Sequence, residues 1–470
     1  MMFDKRIFSK ALLATIPLVF IFVIDPLGMR SAAEEHYEDH ILRGWSPFFS
    51  EVVSDDITVI LIDDAFIEKI NKWPVPYKTL SGLLKRVSQY DPQMVFFDFL
   101  QHHEHSKNLN RWLKTLSKQP YPVFMGSDPR FDNISRMSDP ESIRYKISQA
   151  TELVAVGWDG HGRYYPMQVK WNDSIMNTAA KAMFDSWCDQ NTACAHRRGT
   201  NYSRSMIVQW SNKYSPQHQL YYPQKQPCNS IPDSRWSQFT EIMSISFTQG
   251  IRDEKELDEV LRVRCLPFLT VSATKLWGNT RLSPDELKKA IKNKIILIGY
   301  NLSGGTDLVR SPVHGSIPGV YHHAMALDNL IQLDGFHWRV PEKSGIFSLN
   351  FADLLEIFVQ YFALLWVIWF RIKMTDSEAN DIEQSKIQKI LLASIPTMLI
   401  VSVILGSILI SHYVLKIGAP SWYGLLLILF IDIPVFLIYI ARTVIPVELI
   451  RIRVQLIMER GITLFNLDRS

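Results

Sequence analysis

ITVILIDD, residues 57–64, decides how this chain folds. Six residues, mostly β-branched and all apolar except Thr58, run without alternation into paired carboxylates. That pattern suits a strand buried on both faces, followed by a loop. Outward from it, KTLSGLLKRVSQY at 78–90 has helical spacing through Leu80, Leu83, Leu84 and Val87, and MVFF at 94–97 is a second buried run ending at Asp98. Strand, helix and strand in this order make a βαβ unit, so a parallel sheet with a right-handed crossover is expected. A third buried run, KIILIG at 294–299, lies far downstream. It leads into a glycine-containing turn at 301–307 and a helix-like stretch from Val320 to Leu333. Leu153 to Gly157 reads as a further strand entering the turn WDGHGR. The stretch 188–240 is polar, aromatic and without periodicity, and is read as an irregular excursion.

The expected fold is therefore an α/β domain, a mostly parallel sheet with flanking helices. In open α/β sheets ligands bind beyond the carboxyl ends of the strands. Asp63, Asp64, Asp98 and Asp307 all fall at such ends and could converge on one crevice. Acids in these places also cap helices and turns, and spacing alone leaves both readings open.

Around this domain lie four long apolar runs, at 10–29, 351–370, 390–411 and 422–441. Each is close to the ~20 residues that a bilayer core requires. The first ends in Asp25-Pro26 rather than a small-residue cleavage site, so an uncleaved anchor is expected. Basic residues set the orientation: Lys5, Arg6 and Lys10 precede the first run, Arg371, Lys373, Lys386 and Lys389 separate the second and third, and Arg442, Arg451, Arg453, Arg460 and Arg469 follow the fourth. With these flanks cytoplasmic, the expected order is a head at 1–9, one transmembrane helix, an external domain at 30–350, a second helix, a cytoplasmic loop at 371–389, two more helices, and a tail at 442–470 with both termini inside. Asp353, Glu356 and Asp432 lie in or near the runs, where charge is expensive.

A net charge of +3 over 470 residues leaves no basic surplus for duplex binding, so no nucleic acid partner is expected. Cys188, Cys194, Cys228 and Cys265 all fall in the external region. In an oxidising compartment they allow two disulfides in three pairings. Pairing of Cys188 with Cys194 would staple one loop, and four ordinary thiols is the other reading. QHHEHS at 101–106 offers His102 and His105 as weak metal candidates, since residues on one strand alternate faces. A polar loop fits it better, and no metal is assigned. Ser303 to Thr306 lacks the Lys-Ser/Thr of a P-loop, and no G-x-S-x-G elbow supports a serine hydrolase.

Taken together, three segments resemble the type-2 CHASE domain (cyclases/histidine kinases associated sensory extracellular). They are ILIDDAFIEKINKWPVPYKTLSGLLKRVSQYDPQMVFFDF at 60–99, VGWDGHGRYYPM at 156–167 and NKIILIGYNLSGGTDLVRSPVHGSIPGVYHHAMALDNLI at 293–331. The positions that match are Asp63, Asp64, Trp73, Pro74, Asp98, Asp159, Gly160, Arg163, Gly299, Asp307, Pro312, Pro318, Gly319, Val320, His323 and Ala324. His161 before Gly162-Arg163 departs from the family spacing. The resemblance implies an extracytoplasmic sensor with one span before the domain and three after it, whose signal reaches a cytoplasmic kinase or cyclase. Its ligand site is expected among Asp63, Asp64, Trp73, Asp98, Asp159, Arg163, Asp307 and His323, with His322 facing solvent. The 29 residues after the last run hold no such output module, so a separate cytoplasmic effector (kinase, cyclase or other) is expected. The other expected partners are the membrane and a second copy of the chain. The expected location is a bacterial inner membrane, with the large domain in the periplasm. No recognisable catalytic domain and no cofactor are identified. The competing readings are a periplasmic metal-dependent hydrolase holding its ion with Asp63, Asp64, Asp98 and Asp307, and a non-signalling envelope scaffold.

Overall fold

A computed structural model describes residues 5–24, 39, 42–48, 55–128, 138–157, 162–171, 174–191, 194, 204–211, 218–222, 234–249, 266–277, 282–304, 307–333, 337–340, 357–369, 372 and 386–410. Asp39–Val340 forms one compact unit, and the flanking helices group in another.

The larger unit is built on six strands, β1 (Ile57–Asp63), β2 (Met94–Phe97), β3 (Val123–Ser127), β4 (Glu152–Ala155), β9 (Leu269–Ser272) and β10 (Ile295–Asn301). They form one sheet in the order β4-β3-β2-β10-β1-β9, with every neighbour parallel. Side chains alternate across a strand, and here both faces are buried. Ile57, Val59, Leu61, Met94, Phe96, Ile295 and Leu297 enter one core with the helices Ala179–Gln190 and Val320–Leu333. Ile60, Ile62, Val95, Phe97, Ile296 and Ile298 enter the other, under the helices Tyr77–Ser88, Leu109–Leu116 and Pro284–Ile291. Each such side chain contributes about 1.5–3 kcal/mol by leaving water. That is why these runs carry no alternation. Thr58 is the one hydroxyl inside β1, and it donates to the Ala290 carbonyl at 2.7 Å.

The structure departs from the simple βαβ expectation in one respect. β1 and β2 are parallel but not neighbours, because β10 lies between them. Ile57 to Asp63 pair with Ile295 to Asn301, and Met94 to Phe97 pair with Ile295 to Ile298. Among the described residues three short antiparallel pairs stand outside this sheet: β5 (Tyr164–Tyr165) with β8 (Met206–Ile207), β6 (Gln168–Trp171) with β7 (Ser174–Asn177), and β11 (Leu308–Ser311) with β12 (Gly315–Pro318).

The stretch 188–240 is less irregular than expected. It holds the end of the Ala179–Gln190 helix, β8, the helix His218–Tyr221 and the start of the helix Arg235–Gln249. Cys188 and Cys194 form a disulfide, with Cα atoms 4.9 Å apart, which closes the loop after the Ala179–Gln190 helix. Cys228 and Cys265 lie outside the described residues.

In the smaller unit, the helix Lys5–Ile24 overlies the first apolar run and Lys386–Ile410 the third. Phe8 packs edge-on against Tyr361, with ring centres 5.7 Å apart. Among the described residues no helix is long and apolar enough to cross a membrane. The run 422–441, the tail 442–470 and the acids Asp353, Glu356 and Asp432 lie outside the described residues.

Candidate functional site

Strands β2, β3, β4 and β10 all point their carboxyl ends at one cleft of about 710 Å³. Asp98 follows β2, Asp128 follows β3, Val156 and Gly157 follow β4, and Tyr300 and Leu302 belong to the end of β10. Asp307, Gly319, His322 and His323 close it from the opposite side, and Trp73 and Phe99 stand at its edge. Parallel strands bring this about, because every chain leaves the sheet at the same end and must turn there.

Asp98 and His323 form its floor. His323 Nε2 lies 3.4 Å from Asp98 Oδ1, with both side chains buried. On the far side of the ring, His323 Nδ1 is 2.8 Å from the Tyr165 hydroxyl. The Asp98 carboxylate favours the ring proton on Nε2, which leaves Nδ1 to accept from Tyr165; this tautomer follows from the partners. Tyr165 also accepts from the Ala180 amide at 2.9 Å, at the start of the Ala179–Gln190 helix. Burial pushes the Tyr165 phenol well above its usual range. The second Asp98 oxygen, Oδ2, is buried and has no hydrogen-bond partner among the described residues.

Asp307 faces this pair from just before β11 and is exposed where the cleft opens. Its carboxyl is pushed up to about 7, first by desolvation and then by the Asp98 carboxylate, with His323 pulling the other way. Solvent at the mouth screens part of this push. Two glycines make room for the acids. A Cβ on Gly319 would sit 2.6 Å from Asp307 Oδ1, and one on Gly157 would sit 2.1 Å from the Asp128 carboxylate.

Of the residues expected at the site, Trp73, Asp98, Asp307 and His323 line the cleft. Asp63 and Asp64 do not. Asp63 caps the following helix, accepting from the Phe66 amide at 2.9 Å, and takes the Ser272 hydroxyl at 2.6 Å. Asp64 accepts from the amide and hydroxyl of Ser303. For these two acids the capping reading holds, because each oxygen finds a donor in the strand-to-helix turn, at the end of the neighbouring strand β9 or in the segment after β10. Arg163 is buried beside Asp39 at 3.4 Å and over the Tyr164 ring, away from the cleft lining. Asp159 lies outside the described residues.

His322 corrects the sequence reading. It is buried, not solvent-facing, stacked on Trp210 and edge-on to Tyr165. Burial, then the neighbouring His323, pulls it down to about 3. His105 gives a ring nitrogen to the Val75 carbonyl at 2.9 Å and packs on Tyr77, while the half-buried His102 sits three residues earlier in the same polar loop. Among the described residues no three His, Cys, Asp or Glu side chains are grouped to hold a metal.

Sequence reasoning missed Asp128 and Tyr300. Asp128 follows a strand, VFMGS, whose apolar character ends in Gly126-Ser127. Tyr300 belongs to the recognised run in β10 but lies one residue beyond the glycine taken as its end.

Residues 14–367 match the family model of the CHASE2 domain, well over half of the chain. The chain belongs to the CHASE2 domain family. The match spans the whole α/β unit and extends into the apolar runs on either side of it. CHASE2 domains are extracytoplasmic sensory domains, so the cleft lies in a domain of a sensory type. No curated protein and no solved structure matches the chain.

Proposed function

We propose that this CHASE2 protein is a membrane-anchored receptor whose signal molecule occupies the Asp98–Asp307–His323 cleft. The observation that carries this reading is the buried Asp98 Oδ2, an acceptor without a donor among the described residues, where Asp63 at the end of β1 is satisfied. A buried acceptor left unmet costs about 1–3 kcal/mol, a cost that a bound ligand removes.

The membrane anchoring rests on the four apolar runs and their basic flanks. The outward apolar side chains Leu12, Leu13, Ile16 and Phe20 of the Lys5–Ile24 helix, and Met398 and Leu405 of Lys386–Ile410, support it. The location proposed is a bacterial inner membrane, with the CHASE2 domain in the periplasm. Ligand binding would shift the population between two arrangements of the spans, and a separate cytoplasmic kinase, cyclase or other effector would read that state. A hydrolase using all four acids is the weaker reading, because Asp63 and Asp64 are spent on the fold.

Full-length protein purified from its native cells in mild detergent tests this, beside a form lacking residues 451–470 and the Asp98→Asn variant. Mass spectrometry should recover a cytoplasmic effector that depends on the tail and whose recovery changes with Asp98→Asn. Equal recovery from all three forms, or no cytoplasmic protein from any, overturns the receptor reading.

A further inference from the structure

The chemistry of the cleft narrows what it takes. Asp98 is enclosed at its floor, Asp307 stands at its mouth, and the described residues that line it include no Lys or Arg. Among the described lining residues the basic groups are the imidazoles of His322 and His323, and His323 is the one shown against Asp98 and Asp307. Two carboxylates in a partly desolvated recess oppose each other unless a proton or a cation comes between them. One of their oxygens, Asp98 Oδ2, is in addition an acceptor with no donor. Asp98 itself lines the cleft.

Beside the acids the lining is apolar or aromatic. Trp73 and Tyr300 meet edge to face at 5.3 Å, and Phe99 tilts against Tyr300 at 5.1 Å. Aromatic faces attract a cation electrostatically and cover an apolar stem. A cleft of about 710 Å³ lies within the range of small-molecule sites, roughly 300–1,000 Å³. An anion would meet the carboxylates of Asp98, Asp128 and Asp307, and a neutral alcohol would leave their charge unbalanced. A hard divalent cation prefers several oxygen ligands, and no group of three candidate metal ligands is assembled among the described residues.

We propose that the cleft binds a protonated primary or secondary amine on a small apolar body, its N–H donating to Asp98 and its charge lying between Asp98 and Asp307. The proposal rests on the receptor reading above and names the class of its ligand. Trp73 and Tyr300 flank the apolar body, and Gly319 keeps the Asp307 carboxylate seated beside it.

The test uses the full-length chain in lipid nanodiscs. Calorimetric titration at pH 7.5 would compare a series of alkylamines and arylalkylamines, from methylamine to 2-phenylethylamine, with the matching alcohols, with benzyltrimethylammonium, and with Ca²⁺ and Zn²⁺. At least one amine should bind. Its alcohol should bind at least tenfold more weakly, and the quaternary ion, which has no N–H, should be weaker than the amine. Asp98→Asn should weaken the amine about ten- to a hundredfold, as expected when a charged hydrogen bond is lost. Asp307→Asn, at an exposed position, is a second variant that spares the buried floor and should weaken it less. Thermal melts of each variant confirm folding.

Equal binding of amine and alcohol overturns the proposal, as does unchanged amine binding in both variants or the absence of binding by every amine. Binding of Ca²⁺ or Zn²⁺ that Asp98→Asn abolishes overturns the amine class while leaving the receptor cleft standing. Loss of the tail-dependent effector, with amine binding intact, strikes the receptor reading alone.

Discussion

The carboxyl ends of β1 and β2 look alike in sequence and behave oppositely in the structure. Both are apolar runs that stop at aspartate, Asp63 in one and Asp98 in the other. At β1 the chain turns at once into the helix Asp64–Ile70, so its N-terminal amides are there to be capped and Asp63 caps them. At β2 a long loop intervenes before the helix Leu109–Leu116, and no amide is presented to Asp98 Oδ2. The segment after the strand thus decides whether its terminal acid serves the fold or stays available to a ligand. The distance to the next helix is a better guide to function than the acid itself.

β10 lies between these two strands and supports both ends. Leu297→Ala in its middle removes a fully buried side chain and should cost about 2–5 kcal/mol, read from chemical denaturation. It should weaken the β1 end and the β2 end together, by hydrogen exchange at Phe66 and at Asp98. Loss at one end only would show that the two ends are held separately.

Asp63→Ala sharpens the contrast. Loss of a cap with its hydrogen bonds should cost about 1–2 kcal/mol of stability and leave amine affinity unchanged. Asp98→Asn should do the reverse, shifting the unfolding free energy by less than about 1 kcal/mol because Oδ2 has no partner to lose. If Asp98→Asn proves the more destabilising of the two, the contrast fails.

The smallest effect concerns pH. The folded protein holds a proton on Asp307 more tightly than the unfolded chain, because its carboxyl is raised from 3.8 to about 7. The folded state therefore binds more protons between about pH 4 and pH 7, and this group's contribution to stability falls as pH rises through that window. His322, lowered from 6.5 to about 3, and His337, lowered to about 4, act in the opposite sense, since below about pH 6.5 the unfolded chain takes protons that they refuse. Asp98, Asp128, His322 and His323 also face the cleft. The informative quantity is the difference between wild type and Asp307→Asn. Relative to wild type, the variant should gain melting temperature as pH is raised from 4 to 7. A flat difference would mean that water at the cleft mouth screens Asp307 completely.

Much of the frame was legible in the sequence, for a physical reason. β1, β2, β10 and the helix Val320–Leu333 are buried on two faces or along a broad stripe, and such elements must be apolar almost throughout. β4 was read from Leu153, whereas β3 and β9 were not read, because they are short and end in the small or polar residues Ser127 and Ser272. The insertion of β10 between β1 and β2 was invisible, since strand order depends on pairing between distant segments rather than on any local pattern. At the site, Asp98, Asp307 and His323 could be read from strand ends and from the family. His322 could not, because its burial comes from Tyr165 and Trp210, which arrive from parts of the chain without a recognisable period.

The position of β10 also governs how the domain can be made. β1 is synthesised early, yet its two partners are β9 and β10, and the inner edge of β2 likewise waits for β10. While the ribosome works through residues 98–268, both strands carry unpaired edges, which are prone to stick to other chains. Closure of so non-local a sheet is slow, and until its last central strand has emerged the open edges leave the nascent domain prone to aggregation.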